Sequence, residues 1–450
     1  MDKGNRITEG KVLGALIKFA LPVLFALFLQ SLYGAVDLWV VGQFAETADV
    51  SGVATGSMIM HTVTMLVTGF AMGITVLVGR RIGERNPEGA GKVIGSGIFL
   101  FVFVAVGMTI LLTVGAEMIA RFMQAPKEAF AQTATYLRIC GFGSIFIVAY
   151  NVLGSIFRGI GDSRTPLVTV IIACVINIAC DILFVKGLGM GTAGAALATV
   201  ISQAISVFLS LIMIRRKQLP FRFSLRDIRL NREILSEELR IGTPVALQEL
   251  LVGFSFLVIQ MIVNSIDVVS SAGVGAAEKV CAFLMLVPSA YMQSIAAFVA
   301  QNIGAGKPER AKKALIYSIL TSLIVGLIMG IASFAWGDVL AGIFSKDPLV
   351  IAAGHSYLKA YGIDCVLTPF LFCFIGYYNG YGKTLFVMLQ GIVGAFCVRV
   401  PVVYLVSRIT GATLFQIGLG TPASTIVQIT MCLIMYVVME KKQRSSLQIQ

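Results

Sequence analysis

The sequence predicts an all-α polytopic membrane protein, with twelve transmembrane helices in two pseudo-symmetric six-helix lobes around a central cavity. Three observations support this fold class. Of the 450 residues, 57% are hydrophobic and only 13% are charged, which is typical of a chain that crosses a membrane many times. The apolar residues form runs of helix length, and several short motifs of the first half recur in the second half.

The helices are predicted from windows of about 20 apolar residues, the length that spans a bilayer. They cover residues 14–43, 50–79, 93–115, 133–157, 166–186, 192–214, 239–265, 272–301, 314–336, 352–378, 385–407 and 413–439. The first apolar run is too long for a signal-peptide core and has no evident cleavage site, so we expect it to remain as a span.

The distribution of positive charge predicts the orientation. Of 35 Lys and Arg residues, 26 lie in the N-terminal segment, alternate loops and the C-terminal tail, and seven lie on the opposite side. By the positive-inside rule both termini are cytoplasmic. The net charge of +12 is therefore a topology signal and predicts no nucleic-acid partner. We expect a multi-pass protein of the cell membrane. In a bacterium this is the inner membrane.

Internal motifs predict two lobes. Motifs of the first half recur in the second half at a nearly constant spacing along the chain. The pairs are Arg81-Ile82-Gly83 with Asn302-Ile303-Gly304, Tyr136-Leu137-Arg138 with Tyr357-Leu358-Lys359, and Pro22 with Pro244. We predict an N-lobe at 1–214, a cytoplasmic linker at 215–238 and a C-lobe at 239–450. Six helices per lobe is an even number, so the repeat is parallel, as in alternating-access transporters.

Two acids inside apolar spans are the main functional candidates. Asp37 lies in the first span and Asp181 in the fifth, with Asn177 one helical turn before Asp181. A charge in a span costs at least about 2.5–3.5 kcal/mol, so it needs a partner, water or a proton. We therefore interpret both acids as functional.

Three motifs resemble those of multidrug and toxic compound extrusion (MATE) transporters, of the wider MOP flippase superfamily. They are Phe157-Arg158-Gly159-Ile160-Gly161-Asp162-Ser163-Arg164-Thr165-Pro166, Gln301-Asn302-Ile303-Gly304-Ala305-Gly306 and Gly194-Ala195-Ala196. The similarity to the DinF-like branch implies a cation-coupling network in the N-lobe. Its matching residues here are Asp37, Asn177, Asp181, Thr199 and Tyr136, with Gln30 and Tyr33 at the substrate cavity and Pro22 as a hinge of the first helix.

Helix geometry agrees with this set. At about 1.5 Å per residue, Asp37, Asp181 and Thr199 each fall roughly 7–10 Å below the outer surface, with Asn177 about one turn deeper. Two carboxylates, an amide oxygen and a hydroxyl suit Na+, and two neighbouring carboxylates equally suit a shared proton. The residues do not choose between the two ions.

The second lobe lacks such an acidic pair. The positions equivalent to Asp37, Asn177 and Asp181 hold Ile259, Val398 and Val402, which predicts a single coupling site in the N-lobe. Glu249 and Asp364 are weaker candidates. We expect Lys279, beside Glu278, to form an ion pair, and Arg399 to pair with an acid or with carbonyls at a helix break.

Other classes of protein are disfavoured. No glycine-rich turn carries a P-loop lysine, and neither His61 nor His355 has a metal ligand at suitable spacing, so we expect no cofactor and no enzyme activity. We predict a Na+- or H+-coupled antiporter that exports amphipathic, often cationic, drugs, lies among membrane lipids and acts as a monomer. The alternative is a flippase for lipid-linked saccharides, and a channel or receptor is a third, less favoured class.

Overall fold

The computed structural model describes residues 7–217, 219–221 and 223–448. Lys3, Arg6 and Arg222, which contribute to the predicted charge pattern, lie outside this part of the chain. Within it the secondary structure is helical and contains no β-strand. This agrees with the physics of a span, because a helix satisfies its backbone hydrogen bonds internally where lipid offers none.

The first half of the chain contains eight helices. They are α1 Val12–Phe44, α2 Thr47–Gly83, α3 Pro87–Val114, α4 Ala116–Phe122, α5 Phe130–Phe142, α6 Ser144–Ile160, α7 Arg164–Asp181 and α8 Gly191–Arg216. A π-helical segment, Ile182–Gly187, continues α7 directly after Asp181. Pro22 lies inside α1.

The second half repeats the pattern of long helices. It contains α9 Arg232–Asn264, α10 Val268–Leu284, α11 Leu286–Gly304, α12 Pro308–Ala335, α13 Gly337–Gly342, α14 Pro348–Gly380, α15 Thr384–Ile392, α16 Val400–Ser407, α17 Leu414–Gly418 and α18 Gly420–Gln448. A π-helical segment, Val393–Arg399, joins α15 to α16. Across the described residues, eleven helices have the length and apolar composition to cross a membrane, and a bent pair makes the number twelve.

The bent pair corrects one predicted helix. The fourth span, predicted as one helix at 133–157, consists of Lys127–Phe142 and Ser144–Ile160, which meet at an angle of 59°. The break falls at Gly143, where an added Cβ would clash with the side chain of Val200 on α8. The bend thus lets the backbone pack closely against a neighbouring helix, where only glycine fits.

Helix α9, which is the seventh predicted span, begins earlier than predicted. It starts at Arg232, so residues 232–238, predicted as linker, are helical. Asn231 explains the start, because its side-chain oxygen accepts a hydrogen bond of 3.2 Å from the backbone N–H of Ile234, which satisfies one free donor of the first turn. Because this first turn contains charged residues, a window that averages hydropathy leaves it out of the predicted span.

Contacts divide the chain into two compact units. The first unit comprises Met1–Ala246 and Ala297–Arg310, and the second comprises Leu247–Ala296 and Ala311–Gln450. In the first unit α1 packs against α7, α7 against α8, and α2 against α5 and α6; in the second, α14 packs against α10 and α18. The lobes 1–214 and 239–450 expected from the repeat stay a prediction.

Two glycines of the repeated motif meet inside the first unit. A Cβ on Gly83, at the end of α2, would overlap the carbonyl oxygen of Gln301 on α11. A Cβ on Gly304, the matching glycine of the second copy, would overlap the carbonyl oxygen of Arg80. Each helix end therefore lies against the backbone of the other.

An aspartate orders the loop between α6 and α7. Asp162 accepts hydrogen bonds from the backbone N–H groups of Arg164, at 3.1 Å, and Thr165, at 3.0 Å. The Lys217 ammonium, at the end of α8, lies 2.9 Å from the same carboxylate. Burial works to raise the pKa of Asp162, but the bonds from Thr165 and Lys217 outweigh it and hold the pKa below its ordinary value of 3.8.

Candidate cation site

The candidate site lies in the first unit, where α1 presents Asp37 to α7 and α8. Asp37 is 6% exposed despite its charge. The hydroxyl of Thr199, on α8, donates a hydrogen bond of 3.2 Å to Asp37 Oδ2. The other oxygen, Oδ1, is buried and has no hydrogen-bond donor among the described residues.

Asn177 and Asp181 approach Asp37 from α7. Both side chains are buried, and both lie within interaction range of the Asp37 carboxyl. The two polar side-chain atoms of Asn177 and both carboxyl oxygens of Asp181 have no hydrogen-bond partner in the part of the chain that the structure describes. Residues from three helices thus converge on one buried polar cluster.

The chemistry of this cluster fits a small cation. Two ionised carboxylates are acceptors only, so they interact favourably with each other only when they share a proton or when a cation bridges them. The remaining oxygens belong to an amide and a hydroxyl, which are hard ligands. The described residues contain no group of three or more His, Cys, Asp or Glu side chains that could hold a metal ion.

Tyr136 lies at the edge of the cluster. It is buried on α5, and its hydroxyl faces Thr199 and Asp37. The structure therefore brings together all five residues that we predicted as a cation-coupling network, although their role in coupling stays a prediction.

Gln30 and Tyr33 lie deeper along α1, on the same side of the helix as Asp37. The Gln30 amide donates a 2.5 Å hydrogen bond to the hydroxyl of Tyr150 on α6. Tyr33 faces Tyr150, Asp37 and Gln203. Sequence reasoning missed Tyr150 and Gln203, although Gln203 stands one helical turn after Thr199 and hence on the same face of α8.

Hydrogen bonds between α2 and the start of α8 fix the position of Thr199 along the helix bundle. Asp49, near the start of α2, accepts hydrogen bonds from the backbone N–H of Thr192, at 2.9 Å, and from its hydroxyl, at 2.7 Å. Thr199 follows two helical turns later, so this cap anchors the helix that carries the donor to Asp37.

The second unit holds a different polar cluster. Asp364, on α14, is buried and accepts a 2.6 Å hydrogen bond from Thr425 on α18. Arg399 is also buried and donates to Ser255 Oγ at 3.2 Å. Glu249 is only partly buried and has no hydrogen bond or ion pair among the described residues.

The prediction that Lys279 forms an ion pair is wrong for the part of the chain that the structure describes. The Lys279 ammonium lies 5.7 Å from the centre of the Phe344 ring, and Glu278 has a buried oxygen without a partner among the described residues. Neighbouring residues of a helix point about 100° apart and do not face each other, which explains the separation.

Comparison with known proteins identifies the class of molecule. A structure described as the outward-facing conformation of a multidrug resistance MATE family transporter of the MOP superfamily superimposes with a TM-score of 0.91. It shares 23% identity, over 98% of this chain and 99% of that one. The fold is therefore that of a MATE transporter.

Sequence relatives agree. The probable multidrug resistance protein YpnP of Bacillus subtilis is 25% identical over 93% of this chain and 94% of its own. The multidrug export protein MepA of Staphylococcus aureus is 23% identical over 90% and 89%. The MatE family model matches residues 22–183 and again 244–405, so the chain belongs to the MatE family of multidrug efflux transporters.

The two family matches also bear on the alternatives. They begin at the positions of Pro22 and Pro244, so the family model follows the internal repeat that the sequence predicts. The relatives are multidrug transporters, which disfavours both the flippase alternative and an enzyme.

Proposed function

We propose that the protein is a cation-coupled antiporter that exports amphipathic, often cationic, compounds by alternating access, with Na+ or H+ as the coupling ion. The observation that carries the proposal is the buried pair Asp37 and Asp181. These carboxyls lie on separate helices, α1 and α7, and three of their four oxygens have no donor among the described residues. Such a pair is costly when ionised and empty, so it favours uptake of a positive charge.

In the proposed cycle a cation binds to the cluster from the outer side of the membrane. A cation at Asp37 and Asp181 neutralises charge in an apolar environment and draws α1 toward α7, while the Asn177 amide and Thr199 hydroxyl supply further ligands. The repacking of α1, about Pro22, lowers the affinity for the drug near Gln30 and Tyr33. Coupling requires that the ion bind the two conformations unequally, since equal affinity shifts no population.

We further propose that the protein lies in the cell membrane with both termini in the cytoplasm and transports as a monomer without a bound cofactor. The positive-inside distribution of Lys and Arg supports the orientation. The named relatives, which export drugs or confer drug resistance, support the substrate class.

The test is drug efflux from proteoliposomes in which Na+ and H+ gradients are imposed separately. Asp37→Asn and Asp181→Asn should each abolish ion-driven efflux and cellular drug resistance, while expression stays at the wild-type level. Asp338→Asn is the matched control, because Asp338 is exposed in α13. Full efflux by the Asp37→Asn protein would refute the role of the pair.

A further inference from the structure

The second unit contains a buried cation of its own. Arg399 closes the π-helical segment Val393–Arg399 and is 5% exposed. Its guanidinium lies 4.4 Å from the centre of the Phe256 ring and donates to Ser255 at 3.2 Å. Its Nε atom is buried and has no hydrogen-bond partner among the described residues. A guanidinium offers hydrogen-bond donors and no acceptor, so a buried one needs acceptors or an acid near it.

The matching negative charge is Asp364. Its carboxylate accepts the 2.6 Å bond from Thr425 and lies within electrostatic range of Arg399. No ion pair within 4 Å joins the two groups in the described residues. Both lie against α18, because Asp364 bonds to Thr425 of that helix and the segment that ends at Arg399 packs along it.

The repeat relates this cluster to the candidate site of the first unit. Tyr357 is the repeat counterpart of Tyr136, and Ser255 is that of Tyr33. Ile259, the counterpart of Asp37, packs in an apolar cluster that includes Tyr357. Arg399 lies on the eleventh span, the counterpart of the fifth span that carries Asp181. The second unit thus keeps the tyrosine of the first site but replaces its acidic pair with apolar residues, and it carries a guanidinium on the equivalent span.

We propose that Arg399 is a built-in counter-cation for Asp364, which takes the place of a transported ion and keeps the second lobe free of coupling ions. This proposal rests on the proposed function, because it assigns all binding and release of coupling ions to the cluster of Asp37 and Asp181. A tethered guanidinium cannot dissociate, so it compensates Asp364 without the exchange of an ion during transport.

Other groups near Asp364 do not replace Arg399. Those within electrostatic range of Asp364 are uncharged hydroxyl and thiol groups, namely Tyr357, Tyr361, Cys281 and Cys365. Glu278 is the other acid beside Tyr357 and Cys281. Loss of the guanidinium therefore leaves Asp364 to acquire a proton or Na+ from solution.

The test counts ions bound by the purified full-length protein, as radiolabelled Na+ at equilibrium and as protons taken up in a potentiometric titration. Arg399→Met should bind about one more ion per chain than the parent, both in wild type and in an Asp37→Asn background. Adding Asp364→Asn should remove the gain, and Arg399→Lys, which keeps the charge, should show none. An unchanged count in Arg399→Met, or a gain that persists without Asp364, would overturn the proposal.

A second measurement applies if Arg399→Met folds poorly. In thermal unfolding, the double variant Arg399→Met/Asp364→Asn should be more stable than Arg399→Met alone, because it contains no uncompensated charge. Equal destabilisation of the two would show that Arg399 only packs against Phe256, and the proposal would fail. Failure of the proposed antiport itself appears separately, as a wild-type protein whose ion binding does not depend on Asp37.

Discussion

The hydroxyl of Thr199 offers a test, by one substitution, of which ion drives the proposed antiport. Thr199→Val removes the donor to Asp37 while preserving the shape of the side chain. The bond of 3.2 Å is longer than the common O–H···O distance of about 2.7–2.8 Å. We therefore take the lower end of the range of about 1.5–3 kcal/mol for hydrogen bonds to charged groups, which is roughly a tenfold change in an equilibrium constant.

The quantity that Thr199→Val changes depends on which ion drives transport. If the ion is a proton, loss of the donor disfavours the ionised carboxylate, and the pH of half-maximal transport should rise by about one unit. If the ion is Na+, loss of a ligand should raise the Na+ concentration for half-maximal transport roughly tenfold. Drug efflux from proteoliposomes, titrated with each ion in turn, measures both quantities.

Two variants control this experiment. Thr199→Ser keeps the hydroxyl and should behave as wild type. Thr62→Val removes a hydroxyl that bonds within α2 to the carbonyl of Met58, at 3.1 Å, on an exposed face, and it too should leave both ion constants unchanged. Wild-type constants for both ions in Thr199→Val would refute a contribution of Thr199 to the site.

Two further substitutions test the fold. Gly143→Val should destabilise the protein by about 1–3 kcal/mol, because the new side chain overpacks against Val200, whereas Gly107→Ala, with open space at its Cβ, should not lower the melting temperature. Asp162→Asn should cost about 1–3 kcal/mol through loss of the charged bond from Lys217. Since the pKa of Asp162 is lowered by folding, its stabilisation holds above about pH 4 and disappears as the pH falls; melting temperatures across that range should show this acid-side loss in wild type only.

Much of the fold was predictable because the bilayer imposes one dominant constraint. Apolar run length located the spans, with ends up to seven residues from the observed ones, and cation counts supplied an expected orientation. The bend at Gly143 was not predictable, since the apolar run continues through it and the side chain that lies against Gly143, Val200, is on another helix. The π-helical segment Val393–Arg399 was likewise hidden within one apolar run.

The site was partly predictable for a related reason. Depth along each helix is fixed by residue count, so Asp37, Asp181 and Thr199 were expected at one level, and the structure brings them together. Rotation about each helix axis is not fixed by depth. Tyr150 was therefore missed, and Lys279, for which an ion pair was expected, lies over the Phe344 ring.

The helix ends at Gly83 and Gly304 each lie against the backbone that carries the other copy of the repeated motif. A bulkier residue at either position would therefore displace both helix ends. Each copy thus limits which substitutions the other can accept, which is a physical reason for both copies to have glycine at this position.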